Sequence, residues 1–167
     1  MPIQRDFEEL LRLLEQNSVR YMIIGGYAVA FHGYPRFTKD IDIFFLNTAD
    51  NVEKLQTSLV KFGFPKSAVP TQLFKKRGNI IQFGVVPMRI DLLNKIPGIT
   101  FEEAEQHTTR GFFGNVEVSF IGKTELVKNK KASGRPQDKV DAGILGKGRT
   151  GKSGGRRASG KRLNKYS

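Results

Sequence analysis

The spacing of apolar residues along the chain predicts helices and strands in alternation. Phe7, Leu10, Leu11 and Leu14 recur at the three- and four-residue spacing of one helix face, which predicts an amphipathic helix over residues 4–17. Farther along, the pattern predicts strands at 20–24, 40–46, 79–85, 88–93 and 116–121, helical segments at 27–32, 49–62, 101–107 and 124–133, and a last helix beginning at Pro136. This order predicts a mixed α/β (α+β) domain with helices packed mainly on one face of a mixed sheet.

The apolar pattern stops near residue 143, and the composition changes with it. The last 22 residues contain eight of the 28 lysines and arginines and none of the 16 acids, so they carry two thirds of the formal net charge of +12. Such a segment cannot bury enough apolar surface to offset the entropy lost on ordering. We therefore expect a folded domain over residues 1–142 and a disordered basic tail over 143–167. The eight cations of 146–167 suit non-specific binding to RNA or DNA phosphates.

Composition excludes several classes of protein. With no cysteine, the chain cannot form disulfides, thiolate zinc sites or a cysteine nucleophile. The first 16 residues carry acids where a signal peptide would be apolar. The longest nearly apolar run, residues 21–31, is 11 residues long, short of the ~20 needed to cross a bilayer. We expect a cytoplasmic protein that does not enter a membrane.

Three carboxylates lie in segments that read as strands. Asp40 and Asp42 are separated by Ile41, and side chains alternate in a strand, so both acids leave the same face. Asp91 lies inside the apolar run 88–93. Like charges at this spacing repel, and a divalent cation with its preference for oxygen ligands would reverse the penalty. Asp-x-Asp also occurs in turns, and a single strand aspartate can simply face solvent, so the interpretation depends on all three occurring together.

Glycines and cations flank these acids. Gly25 and Gly26 lie between a predicted strand and a predicted helix, where a glycine pair lets backbone N–H groups approach a phosphate. Arg36 and Lys39 precede the first carboxylate and could neutralise a triphosphate. Carboxylates, glycines and cations in this order suit a two-metal site for phosphoryl or nucleotidyl transfer.

Residues 23–28 (Ile-Ile-Gly-Gly-Tyr-Ala) and 33–43 (Gly-Tyr-Pro-Arg-Phe-Thr-Lys-Asp-Ile-Asp-Ile) resemble the signature of the DNA polymerase β-like nucleotidyltransferase superfamily. The chain is most similar to the small stand-alone bacterial branch, which includes abortive-infection toxin relatives and minimal nucleotidyltransferases. Residues 129–138 resemble a C-terminal motif of that branch. The resemblance covers about residues 19–141 and implies a nucleotidyltransferase-type mixed sheet.

The resemblance also implies an activity: Mg²⁺-dependent transfer of an NMP unit from an NTP to an acceptor hydroxyl, with release of pyrophosphate. The acceptor could be RNA, a small molecule or a protein. The residues that would take part are Gly25 and Gly26 on the nucleotide phosphates, Asp40, Asp42 and Asp91 on two Mg²⁺ ions, and Lys130 facing a phosphate. Asp91 would also help to deprotonate the acceptor hydroxyl. Lys130 could equally be a solvated lysine beside Lys128 and Lys131.

Two other functions stay open at this point. One is a non-catalytic nucleotide-binding or antitoxin-like module that keeps the nucleotidyltransferase shape. The other is a non-specific nucleic-acid binder that acts through the basic tail. The sequence also departs from the branch after Asp141, where an apolar helix is expected and Gly, Lys and Arg follow instead.

Overall fold

The strands form one sheet in a computed structural model, which describes residues 2–35, 37–84 and 89–147. The strands are β1 (Tyr21–Ile24), β2 (Asp40–Phe45), β3 (Ile80–Phe83), β4 (Arg89–Leu93), β5 (Thr109–Phe113) and β6 (Val116–Phe120). Their order in the sheet is β3-β4-β2-β1-β6-β5. The β1–β6 and β2–β4 pairs are parallel, and the other three are antiparallel. The mixed sheet confirms the predicted mixed α/β class.

Seven α-helices accompany the sheet within the described ranges. They are α1 (Pro2–Gln16), α2 (Gly25–Phe31), α3 (Ala49–Phe62), α4 (Thr71–Lys75), α5 (Phe101–Glu105), α6 (Lys123–Ser133) and α7 (Pro136–Lys147), with a 3-10 turn at Lys66–Ala68. Thr48 caps α3 by accepting from the Asn51 backbone N–H, and Thr100 and Glu103 form a capping box at α5. None of these helices is long and apolar enough to cross a membrane.

The edge strand β5 was not predicted from the sequence. Its residues, Thr-Arg-Gly-Phe-Phe, lack clear alternation, and glycine disfavours a strand. In the fold Gly111 lies against the ring of Phe31, and a Cβ at this position would overlap that ring. The strand then delivers Phe113 to a buried aromatic cluster with Phe7 and Tyr27, whose ring centroids lie 5.1–6.5 Å apart. Tertiary packing therefore stabilises β5 where local propensity is weak.

The C-terminal helix extends past the domain boundary predicted at residue 143. Helix α7 continues to Lys147, and Leu145 is fully buried. The buried apolar residues of this last turn are Ala142 and Leu145. Two apolar positions among Gly and Lys are too few to reveal a helical period in the sequence. Residues 143–147 therefore belong to the folded domain. The basic tail predicted beyond them lies outside the described residues from 148 onward.

Candidate active site

The pairing of β2 with β4 brings the three carboxylates to one face of the sheet. The parallel register places Asp42 beside Asp91 and Asp40 beside Arg89. Strand alternation sends these four side chains to the same face, while Ile41 is fully buried on the other. A one-residue shift in register would break this arrangement, and the buried apolar face prevents such a shift.

The Gly25–Gly26 turn lies directly against this row of acids. Gly25 begins α2 at the end of β1, and Ile24 of β1 pairs with Asp42. The φ of Gly25 is +68°, a left-handed conformation that favours glycine. A Cβ on Gly25 would also overlap Oδ2 of Asp42. The first glycine therefore provides the space that the Asp42 carboxylate occupies.

The pairing of Asp42 with Asp91 is electrostatically unfavourable. Burial raises the pKa of Asp42 to about 7, and the charge of Asp91, a hydrogen bond with Asp91 and the charge of Asp40 act in the same direction. Lys130 opposes this rise in the pKa. Asp91 itself is buried. A second cation at this point would favour the charged form of Asp42.

Arg89 supplies part of that positive charge. Its Nη2 lies 3.1 Å from Oδ2 of Asp40, and its Nε lies 3.2 Å from Oδ1 of Asp91. The compensation is incomplete. Among the residues that the structure describes, the buried Oδ1 of Asp40 has no hydrogen-bond partner, and Nε of Arg89 and Oδ1 of Asp91 are in ion contact with each other without forming a hydrogen bond. Within the described residues, no three acidic or histidine side chains are gathered closely enough to form a preformed metal site. Asp40 is instead engaged by Arg89.

Lys130 lies across from the acids on α6 and is held by α7. Its Nζ donates to Oδ1 of Asp138 at 2.8 Å and lies 3.3 Å from Oδ2 of Asp141, with all three side chains buried. Asp138 also accepts from Ser133 and from Nε of Arg135. These contacts hold the pKa of Asp138 at about 2: burial would raise that pKa, but the hydrogen bonds from Lys130 and Ser133 lower it by more. Lys130 is therefore a fixed buried cation, unlike a solvated surface lysine.

These elements enclose a cleft of about 570 Å³. Of the residues predicted from the sequence, Gly25, Gly26, Asp40, Asp42, Asp91 and Lys130 line its wall. Lys39 does not; it is exposed, with its Nζ 5.9 Å from the ring centroid of Phe37. Arg36 lies outside the described residues.

The cleft also contains polar residues that were not predicted from the sequence. They are Gln82, Arg89, Lys95, Asn129, Ser133, Arg135, Gln137 and Asp138. Arg89 could have been found, because it lies two residues before Asp91 and strand alternation sends both to one face. Gln82 could not, since its position beside Asp91 depends on the β3–β4 register.

Comparison with known proteins assigns the chain to a family. The model of a family described as "nucleotidyl transferase of unknown function" (DUF2204) matches residues 3–139. The chain belongs to this family. A crystal structure of a Thermotoga maritima protein, described as a candidate nucleotidyltransferase, has the same fold, with a TM-score of 0.52 at 11% sequence identity over 87% of this chain and 88% of that one. No curated protein matches the chain. The predicted likeness to nucleotidyltransferases is confirmed by the family, and the toxin-related branch stays a prediction.

The donor chemistry of the cleft fits a divalent cation. Its carboxylates are hard oxygen ligands, and two of their buried oxygens form no hydrogen bond within the described part of the chain. Burial raises the pKa of Asp42, and the negative charges of Asp91 and Asp40 raise it further. The ligands of such an ion would be Asp40, Asp42 and Asp91.

Proposed function

We propose that this member of the nucleotidyltransferase family transfers an NMP unit from an NTP to an acceptor hydroxyl and releases pyrophosphate, with Mg²⁺ as cofactor. The observation that carries the proposal is the pairing of Asp42 with Asp91 on adjacent parallel strands, directly against the Gly25–Gly26 turn. Two like charges so placed lower stability, and their placement is explained by a ligand that needs both.

The reaction requires one bond to form and one to break. The acceptor oxygen attacks the α-phosphorus, the bond to the bridging oxygen breaks, and pyrophosphate leaves. The hydroxyl proton passes to a carboxylate oxygen, for which we propose Asp91, because its carboxylate lies beside Asp42 on the wall of the cleft. Two bound Mg²⁺ ions would neutralise the carboxylates and the charge on the α-phosphoryl group and would lower the pKa of the acceptor hydroxyl.

The protein's own cations complete the proposed site. Lys130 influences Asp42 electrostatically and lines the same cleft, so it can face a nucleotide phosphate while its acids keep it in place. Arg135 shares Asp138 with Lys130, but its side chain is 79% exposed, which leaves it free to reach a ligand. The role of these residues is to position charge before the reaction begins.

Label transfer tests this function. The purified protein would be incubated with each α-labelled NTP and Mg²⁺, alone and with cell extract, beside Asp42→Asn and Asp91→Asn. The matched control is Asp50→Asn, which changes an exposed aspartate paired with Lys54 on α3. We expect transfer with wild type and control and none with either site variant. Transfer that survives in Asp42→Asn would contradict the mechanism.

One observation favours a second candidate, a non-catalytic nucleotide-binding module. Arg89 engages both Asp40 and Asp91, as a permanent replacement for a metal ion would. This candidate predicts NTP binding that is independent of Mg²⁺, with no label transferred under any condition. Equilibrium dialysis of labelled NTP with Mg²⁺ or with EDTA separates the two functions, because the enzyme requires the metal for tight binding and the module does not.

A further inference from the structure

Three consecutive cations lie where α4 joins β3, beside the cleft. Lys75, Lys76 and Arg77, here called the basic turn, are all exposed. None of them has an ion-pair partner among the residues that the structure describes, and the same is true of Lys95 at the end of β4. Five other arginines are each paired with an acid: Arg12, Arg20, Arg89, Arg110 and Arg135. The fold thus brings four exposed cations without an ion-pair partner in the described part of the chain to this end of the sheet.

The basic turn is fixed to the strand that carries Asp91. Asn94 follows β4 directly and is buried. Its Nδ2 donates to the backbone oxygens of Phe74 and Lys76 at 2.9 and 3.0 Å, and its Oδ1 accepts from the Gly78 N–H at 2.9 Å. At about 3.3 Å per strand residue, Asn94 lies about 10 Å along the chain direction from Asp91. One buried amide therefore holds the cations at a set distance from the carboxylates.

A second groove connects the basic turn with the cleft. This groove has a volume of about 310 Å³ and is lined by Arg77 and Asn94. Lys95 and Ile96 line both the groove and the cleft, so the two are contiguous. Two acids, Glu102 and Glu103, form part of the other wall. Glu103 is already engaged by the cap of α5 and by Lys128, 3.8 Å away. Among the described residues, neither acid forms an ion pair with Arg77 or Lys95.

We propose that the acceptor is a nucleic-acid strand whose terminal 3′-hydroxyl reaches the carboxylates while its phosphates contact Lys95, Arg77 and the rest of the basic turn. The inference rests on the proposed function and names the acceptor class. A row of unpaired cations matches a row of repeating phosphates. A protein partner is disfavoured, because lysine is depleted in the cores of protein interfaces. The strand's 3′-oxygen bonds to the α-phosphorus, pyrophosphate leaves, and the hydroxyl proton passes to Asp91.

The test uses the full chain, so the tail is present in every sample. The triple variant Lys75→Gln/Lys76→Gln/Arg77→Gln changes only the basic turn, whose residues do not line the cleft. It is compared with the control Lys61→Gln/Lys66→Gln, which removes exposed lysines that line neither the cleft nor the groove. The probes are labelled single-stranded RNA and DNA 20-mers. Binding is followed by fluorescence anisotropy across a salt series, and transfer is followed from an α-labelled NTP to RNA with a free or a blocked 3′-hydroxyl.

We expect the triple variant to bind the strand at least tenfold more weakly. The slope of the logarithm of the binding constant against the logarithm of the salt concentration should become shallower by about 2, since each single-strand phosphate contact contributes about 0.7 to it. The triple variant's Mg²⁺-dependent NTP binding should match wild type. Transfer should fall in parallel and require a free 3′-hydroxyl, and the RNA and DNA arms show which sugar is accepted. The control should behave as wild type in every assay.

Two outcomes would overturn the acceptor assignment. In the first, the triple variant binds strands as wild type does, and binding is lost only when the eight cations of 146–167 are changed to glutamine. In the second, label passes to a protein or a small molecule at equal rates in wild type and the triple variant, and the proposed transferase activity stands without this acceptor. A third outcome is strand binding that depends on the basic turn, with no transfer to any acceptor. It would contradict the proposed transferase activity and would support the basic turn as a nucleic-acid binding surface.

Discussion

The backbone of Gly25 lies so close to the carboxylate of Asp42 that no side chain fits between them. The strand that carries Asp42 and the turn that begins α2 therefore pack against each other only because residue 25 is glycine. This contact gives the glycine a structural role in addition to any contact with phosphate. It also links the fold to the proposed chemistry, because a change at Gly25 must displace a proposed metal ligand.

A Gly25→Ala substitution should abolish transfer and lower the free energy of unfolding by about 2–4 kcal/mol, from backbone strain and overpacking together. The matched control is Gly134→Ala. Gly134 has a φ of +74°, close to the +68° of Gly25, but nothing lies within 4 Å of its would-be Cβ. The control should lose only the strain, about 1 kcal/mol. Equal losses in chemical denaturation would show that the contact with Asp42 has no effect.

Asp42 should make the stability of the protein depend on pH. Its pKa in the folded protein is raised to about 7 from the usual 3.8, so folding favours its protonated form. The stabilising contribution is complete below pH 4 and is lost as the pH rises through 7. Between pH 5.5 and 8 without divalent cations, wild type should lose about 2 kcal/mol more than Asp42→Asn. Denaturation curves that shift equally in both proteins would contradict the raised pKa.

Arg89 and a metal ion should compete for the same carboxylates. Removing the guanidinium in Arg89→Gln leaves Asp40 and Asp91 less compensated, so stability without metal should fall by about 1–3 kcal/mol. Mg²⁺ affinity at pH 8 should rise about tenfold, which enlarges the metal-dependent rise in the unfolding midpoint. Arg110→Gln is the control, because Arg110 pairs with Glu15 and Glu117 far along the sheet. If both variants respond to Mg²⁺ as wild type does, Arg89 does not compete.

The alternating pattern of the strands was sufficient to predict where the carboxylates lie. Asp40 and Asp42 share a face because they are two positions apart in a strand, and Asp91 lies in an apolar run that had to pair within the sheet. The pairing partner of Asp91 was not readable, since register depends on contacts between β2 and β4 that are remote in sequence. For the same reason, the engagement of Asp40 by Arg89 could be found only in the folded chain.

The C-terminal part of the site was the hardest to predict. Lys130 is one of three lysines within four positions of α6, and local sequence does not distinguish them. Its burial depends on α7, which folds back after the left-handed turn at Gly134 and delivers Asp138 and Asp141. The end of α7 was missed as well, because one buried leucine in a Gly- and Lys-rich segment gives no period to detect.

Lys130 should be essential for folding as well as for function. Lys130→Met leaves Asp138 and Asp141 buried without their common cation and should cost about 3 kcal/mol. Lys128→Met is the control on the same helix; Lys128 is exposed and 3.8 Å from Glu103, so the loss should stay below about 1 kcal/mol. Adding Asp141→Asn to Lys130→Met removes one of the two buried charges left unpaired and should restore part of the stability. If urea denaturation gives equal stabilities for the two single variants, the buried ion pairs contribute nothing measurable, and any loss of transfer in Lys130→Met must come from the phosphate contact alone.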